Sequence, residues 1–397
     1  MIIKNIGQLT GIQSPDVLRV EGAAQGKTGL LENAWLRMED GRIDSFGPMA
    51  SLPDGGDEVL DAEGGLLMPG FCDSHTHIVY AGSRDGEFLD KINGLSYEEI
   101  AARGGGILNS ADLLHHCSEE ELYRQSMVRV REMMDKGTVA MEIKSGYGLN
   151  PEDELKMLRV IRRIGDTVPA AVKSTFLGAH AVGRGYTHPD YVQMVIDLIP
   201  EAARLADFID VFCDEGFFTT ADTERILQAA RGLLTPKIHA NELAVSGGVQ
   251  AGVKHGALSV DHLERTTDAE IEALRGSGTM PTMLPGSSFF LGLPYGRAKD
   301  YIQAGLGIAL ASDYNPGSSP SGDMRFVMAQ GCIKMRLTPV EAFNAVTLNS
   351  AYAMGLSHEY GSVTAGKKAA LLLTEPGWDL TRLAYQYQTP YLRKVFL

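Results

Sequence analysis

The sequence predicts an α/β protein: a (β/α)8 TIM-type barrel with a small β-sandwich domain built from both chain ends. Three observations predict it. Eight short apolar or β-branched runs alternate with stretches of helical period between residues 66 and 355. The segments before and after read as short strands and turns. Polar, chemistry-bearing side chains stand at the C-terminal ends of the eight runs, where barrels of this type carry their sites. The expected division is a small β domain from 1–65 and 356–397 around a barrel from 66–355.

The elements follow in order. "AWLRMEDGRIDSFG" (34–47) reads as a hairpin turning at Asp40-Gly41. "GAAQGKT" (22–28) is one residue short of a phosphate-binding loop and has no helix pattern after it. The barrel strands are expected in "GLLMPGFCDSHTH", "GTVAMEIKSG", "AVKSTFLGAH", "DFIDVFCDEG", "PKIHANE", "ALSVDHLE", "GTMPTMLPG" and "GIALASDYNPG". Between them, "SEEELYRQSMVRVREMMDKG" opens with a capping box from Ser118 to Glu121, and "PEDELKMLRVIRRIG" is expected, like it, to end at glycine. A doubly wound open sheet is the alternative, but no G-x-G-x-x-G follows a strand. "GSVTAGKKAALLLTE" and "YLRKVFL" return to strand character and are expected to pack with the N-terminal strands.

Composition narrows the function classes. A net charge of −14 works against nucleic acid or an anionic membrane as partner, since both need clustered Lys and Arg. No apolar run approaches the roughly 18 residues of a membrane helix, and the start lacks a secretory pattern. Four scattered cysteines without a C-x-x-C suit a reducing cytoplasm.

The strand ends carry His75 and His77, Lys144, His180, Asp214 and Glu215, His239 and Glu242, His262, and Asp313. Five of the ten histidines are there; His115, His116, His188, His255 and His358 read as surface or packing residues. Side chains at i and i+2 of a strand share a face, so His75 and His77 both point inward. Barrel closure sets the eighth strand, with Asp313, beside the first, and His239 arrives from the opposite wall. Three imidazoles and a carboxylate describe a site for one Zn or Fe ion. Lys144 can be a carboxylated bridge to a second metal or a structural lysine; it ends the second strand and no Lys ends the fourth, which favours one ion. Glu242 is a candidate acid/base or substrate acceptor, and Arg84 a candidate carboxylate clamp. Asn315, Gly317 and Ser318 would form the rim; His180, His262, Tyr147 and Tyr97 remain open between site and packing roles.

"PGFCDSHTH", His239, His262 and "SDYNP" resemble the amidohydrolase superfamily. "GSRDGEF", "GGGI", "EIKSGYGL", "FLGAHAV", "DVFCDEGFF", "HANEL", "DHLE", "MLPG" and "DYNPGSS" resemble, within it, the imidazolonepropionase family of histidine degradation. The resemblance implies hydrolysis of 4-imidazolone-5-propanoate to N-formimidoyl-L-glutamate at a mononuclear Zn or Fe, with a metal-bound hydroxide as nucleophile. It implies metal ligands at His75, His77, His239 and Asp313. Substrate contacts are implied at Arg84, Tyr97, Tyr147, His180, Glu242, Asn315, Gly317 and Ser318. Proton transfer and oxyanion stabilisation are expected of Glu242, His262, Asp313 and His180. A cytoplasmic homodimer is also implied. Two segments depart from the family pattern: "LNSADLLHH" after Gly106, and Ala370 where Asp is usual. The rival functions are ammonia release from a heteroaromatic amine and a catalytically silent barrel.

Overall fold

The computed structural model describes residues 1–53, 58–95, 99, 103 and 105–397. Its strands are β1 (Ile2–Ile12), β2 (Gly29–Glu39), β3 (Arg42–Pro48), β4 (Val59–Asp61), β5 (Gly65–Pro69), β6 (Phe71–Thr76), β7 (Thr138–Lys144), β8 (Ala171–Ala179), β9 (Phe208–Cys213), β10 (Thr235–Ala240), β11 (Ser259–His262), β12 (Met280–Met283), β13 (Ala309–Leu310), β14 (Leu371–Pro376) and β15 (Leu392–Val395). Among the described residues they form two sheets. The first runs β15-β14-β5-β1-β2-β3, with β4 also on β1; the second runs in chain order from β6 to β13.

The first sheet joins the two chain ends. The β2–β3 hairpin turns at Asp40 and Gly41, both at positive φ (48° and 72°), as a two-residue primed turn requires. Ile3, Ile6, Leu9, Leu36, Leu67, Leu371, Leu373 and Phe396 form its buried core. Residues 65–77, expected as one strand, are two. β5 pairs with β1 and β14 in the first sheet, whereas β6 pairs with β7 in the second. Gly70 sits between them, where a Cβ would meet the Val139 side chain at 2.2 Å. Its N–H donates to the carbonyl of Ala370, so position 370 serves through its backbone.

Parallel pairing runs without a break from β6 to β13, with helices on the connections. Every residue of β6, β7 and β9 is buried, as strands covered on both faces must be. The ring closes through the residues after β13. Asp313 N donates to His75 O (3.0 Å), and His77 N donates to Tyr314 O (2.9 Å). Two helix boundaries differ from expectation. At the N-terminus of Glu119–Asp135, Ser118 Oγ accepts from Glu121 N, but the Glu121 carboxylate turns to Arg124 and Gln125, so the capping box stays half-made. Pro151–Thr167 runs past Gly165, which packs against Val172. The segment after Gly106 forms the helix Ile107–His116. Among the described residues no helix is long and apolar enough to cross a membrane.

Candidate metal centre

Three imidazole nitrogens and a carboxylate oxygen meet at the C-terminal mouth of the barrel. His75 Nε2 lies 3.2 Å from His77 Nε2, which lies 3.4 Å from His239 Nε2. Asp313 Oδ1 stands 3.6 Å from both His75 Nε2 and His77 Nε2. All four side chains are buried. Burial is the largest influence on each imidazole and holds all three below the usual histidine value, His239 at about 3.

The protonation of these rings tests whether they fit a cation. His75 Nδ1 lies 2.7 Å from Asp261 Oδ2, and His239 Nδ1 lies 2.9 Å from Asp210 Oδ2. A carboxylate only accepts, so each Nδ1 carries the hydrogen and each Nε2 presents a lone pair. Two such lone pairs and the Asp313 carboxylate oxygen thus surround His77 Nε2, an electron-rich cluster that a cation among them would neutralise. The donor set of three neutral imidazoles and one carboxylate suits a divalent ion.

Around this cluster lies a cavity of about 840 Å³. His180 stacks on His77 (centroids 5.2 Å, planes 18° apart), and its Nδ1 faces Gly146 O at 3.0 Å. Tyr147 lies 6.0 Å from His77 and 5.6 Å from His180. His262 Nε2 is 3.6 Å from Glu242 Oε2, and its Nδ1 is 3.5 Å from Glu264 Oε2. Burial pushes the His262 imidazole down, but these two carboxylates outweigh it and hold it well above its usual value. Glu242 is pushed up to about 7, chiefly by burial. His262 has φ of +86° and Asp313 +53°, backbone positions that non-glycine residues occupy at a cost of about 1–3 kcal/mol each.

The profile of the amidohydrolase family matches residues 66–395. An imidazolonepropionase of Flavobacterium johnsoniae is 51% identical, covering 98% of this chain and 95% of its own length. Another, of Geobacillus kaustophilus, is 40% identical over 94% of this chain and 91% of its own. The chain belongs to the imidazolonepropionases, within the amidohydrolase family. In fold it is similar to a zinc-bound adenosine deaminase of Xanthomonas campestris (TM-score 0.73, 16% identity, covering 100% of this chain and 91% of that one). A 5-methylcytosine deaminase of Klebsiella pneumoniae is similar too (TM-score 0.74, 14% identity, covering 98% and 96%).

Most residues of this amidohydrolase singled out from its sequence line the cavity: His77, Arg84, Tyr147, His180, His239, Glu242, His262, Asp313, Asn315, Gly317 and Ser318. His75 lies beneath them. Tyr97 falls outside the described residues. Asn315 builds the rim. Its amide donates to Asp313 O and Ser318 Oγ, and its carbonyl accepts from the N–H groups of Gly317 and Ser318. Asp214 anchors the loop after Glu242 by accepting from Leu243 N, Ala244 N and Ser246 Oγ, whereas Glu215 is exposed.

In the layer below, Lys144 is the hydrogen-bonded structural lysine that the sequence favoured, but sequence reasoning missed its partners. Lys144 Nζ donates to Glu142 Oε1 (2.6 Å) and Asp210 Oδ2 (2.8 Å) and lies 3.6 Å from Asp261 Oδ2. Lys237 Nζ contacts Glu142 Oε2 and donates to Ser74 O (3.1 Å). Lys144 is thus tied to the carboxylates that orient His75 and His239. Ser287 Oγ and Ser318 Oγ donate to Asp313 Oδ2 at 2.9 and 3.3 Å, which leaves Oδ1 to face the imidazoles. The missed signal was alternation: Glu142 and Lys144, or Lys237 and His239, place polar, ionisable side chains at every second residue of a buried strand.

Proposed function

We propose that this enzyme hydrolyses the cyclic amide of 4-imidazolone-5-propanoate to N-formimidoyl-L-glutamate in histidine degradation, with one Zn or Fe ion held by His75, His77, His239 and Asp313. The observation that carries this reading is the clustering of the His75, His77 and His239 Nε2 atoms, with Asp313 Oδ1 3.6 Å from the first two. The names of its relatives supply the substrate class. A divalent ion at such a site activates water and polarises a carbonyl.

In the reaction, a water oxygen bonds to the ring carbonyl carbon, the ring C–N bond breaks, and the departing nitrogen takes a proton. The carbonyl carbon leaves as the α-carboxylate of the product. Asp313 Oδ1, with Oδ2 pinned by two serines, takes the proton from water. His262, kept charged by the Glu264 carboxylate while Glu242 holds its proton, donates a hydrogen bond to the developing oxyanion. Glu242 holds a proton near neutral pH and delivers it to the departing nitrogen. His180, its Nδ1–H directed to Gly146 O, offers Nε2 as acceptor for a ring N–H. Arg84 holds the propanoate tail, with Tyr147 and the rim of Asn315, Gly317 and Ser318 enclosing the ring. The enzyme is taken as cytoplasmic and homodimeric on the family resemblance; sedimentation reads the second directly.

The test is a coupled assay. Urocanate is converted by urocanase, and loss of the imidazolone absorbance is followed. Turnover is expected, lost on metal chelation and restored by Zn or Fe. Full activity in a verified metal-free preparation overturns the scheme. Ammonia release from heteroaromatic amines without action on the imidazolone would make the enzyme an aminohydrolase.

A further inference from the structure

One of the two bidentate edges of Arg84 is already filled. Its Nε donates to Glu87 Oε1 (2.9 Å) and its Nη2 to Glu87 Oε2 (2.6 Å), and Glu87 Oε1 also accepts from Gly106 N (3.0 Å). A guanidinium usually takes a carboxylate on such an edge, so Glu87 stands where a bidentate substrate carboxylate would. One N–H of Nη2 and the two of Nη1 remain, and Nη1 borders Gly317, where a Cβ would fall 2.3 Å from it. Glu87 also offsets the charge of Arg84. Alone, Arg84 is a weak clamp for an anionic tail.

Lys91 stands on the same helix, Asp85–Ile92, and lines the same cavity. Its Nζ donates to Gly317 O (2.9 Å) and lies 5.2 Å from the centroid of Phe290. Nη1 of Arg84 and Nζ of Lys91 therefore flank one residue, Gly317. Among the described residues Lys91 forms no ion pair with a carboxylate. Among the described residues, Arg84, Lys91 and Glu87 leave this end of the cavity with one positive charge in excess. The neighbouring Phe88, Ile92, Leu95 and Phe290 offer no competing acceptor side chain. An ammonium has three donors; among the described residues one is given to Gly317 and two find no partner. Burial and the nearby Arg84 guanidinium both push the Lys91 ammonium below its usual value, as expected for a cation awaiting a counter-ion.

We propose that Lys91 is the second arm of a two-cation clamp for the side-chain carboxylate of the substrate, Arg84 Nη1 being the first, and that Lys91 sets the preference for a ring with an anionic tail. The proposal rests on the imidazolone reading for the identity of that tail. Lys91 then supplies the charge that Glu87 removes from Arg84.

The experiment is a binding titration on the full, metal-loaded chain. The probes are 3-(imidazol-4-yl)propanoate and its uncharged primary amide, each titrated into the wild type, Lys91→Met and Lys91→Arg. Lys91→Met is expected to weaken the propanoate about 10–100-fold and the amide by less than about 3-fold. Lys91→Arg is expected to keep most of the preference for the acid. In turnover, KM rises by the same factor while kcat holds. Equal weakening of acid and amide would reduce Lys91 to a strut between the helix and the rim, and no change in either would end the proposal. If Lys91→Met fails to fold, Lys91→Gln takes its place in the same comparison. A wild type inactive on the imidazolone would refute the parent reading, while its preference for acid over amide still decides the role of Lys91.

Discussion

Nδ1 of His75 and Oδ2 of Asp261 stand 2.7 Å apart, both fully buried. That single contact sets which nitrogen of His75 faces the cavity. Asp261→Asn keeps the shape but removes the charge that holds the ring in place. Metal affinity is expected to fall about 10–100-fold. Competition with a chelator of known affinity measures it; an unchanged affinity would show that ring packing alone orients His75.

The buried charge layer makes a stability prediction. Lys237→Met leaves the Glu142 carboxylate with Lys144 as its remaining cation, and loss of about 3–5 kcal/mol is expected in denaturant unfolding. The double variant Lys237→Met, Glu142→Leu should recover part of that loss, because Lys144 then faces two buried carboxylates in place of three. A double variant less stable than the sum of the two single ones contradicts this account.

Asp313→Asn is expected to lower kcat about 10²–10⁴-fold, since the proposed mechanism makes Asp313 both a ligand and the proton acceptor. Metal content, measured in parallel, separates the two losses. A variant that keeps its metal and its rate removes Asp313 from the chemistry.

Gly317→Ala would drive a methyl group into Nη1 of Arg84, which Glu87 prevents from moving aside. KM is expected to rise about tenfold, with thermal stability little changed. Steady-state kinetics reads this directly, and an unaltered KM would mean that Arg84 lies clear of the substrate.

Glu154 gives a pH prediction. Its carboxylate accepts from Gly146 N (3.1 Å), Gly148 N (2.7 Å) and Leu149 N (3.1 Å), and so shapes the loop that carries Tyr147. Burial outweighs these donors and pushes the carboxyl from 4.5 up to about 7. The folded state then holds this proton over a range where the unfolded chain has released it. Stability should therefore fall as pH rises from about 4.5 to about 7, by about 3 kcal/mol relative to Glu154→Gln. Unfolding of both proteins at pH 5 and pH 8 is the check, and a constant difference between them overturns it.

By itself the sequence determined the alternation of strands and helices, the identity of the strand-end histidines, and the shared direction of His75 and His77. Each follows from a local period: two residues per repeat in a strand, 3.6 in a helix. The same rule could not say that residues 65–77 divide between two sheets, because the break at Gly70 depends on Val139, far along the chain. Only the tertiary structure decided which groups face each other across the barrel. Asp261 meets His75, Asp210 meets His239, and Lys144 reaches both aspartates, because ring closure and the register of parallel strands bring distant positions to one level. Likewise Arg84 was legible as a cation near the site, but not that Glu87 occupies one edge of its fork. A side chain's type is written in the sequence; its partner is chosen by the packing of segments that the sequence holds far apart.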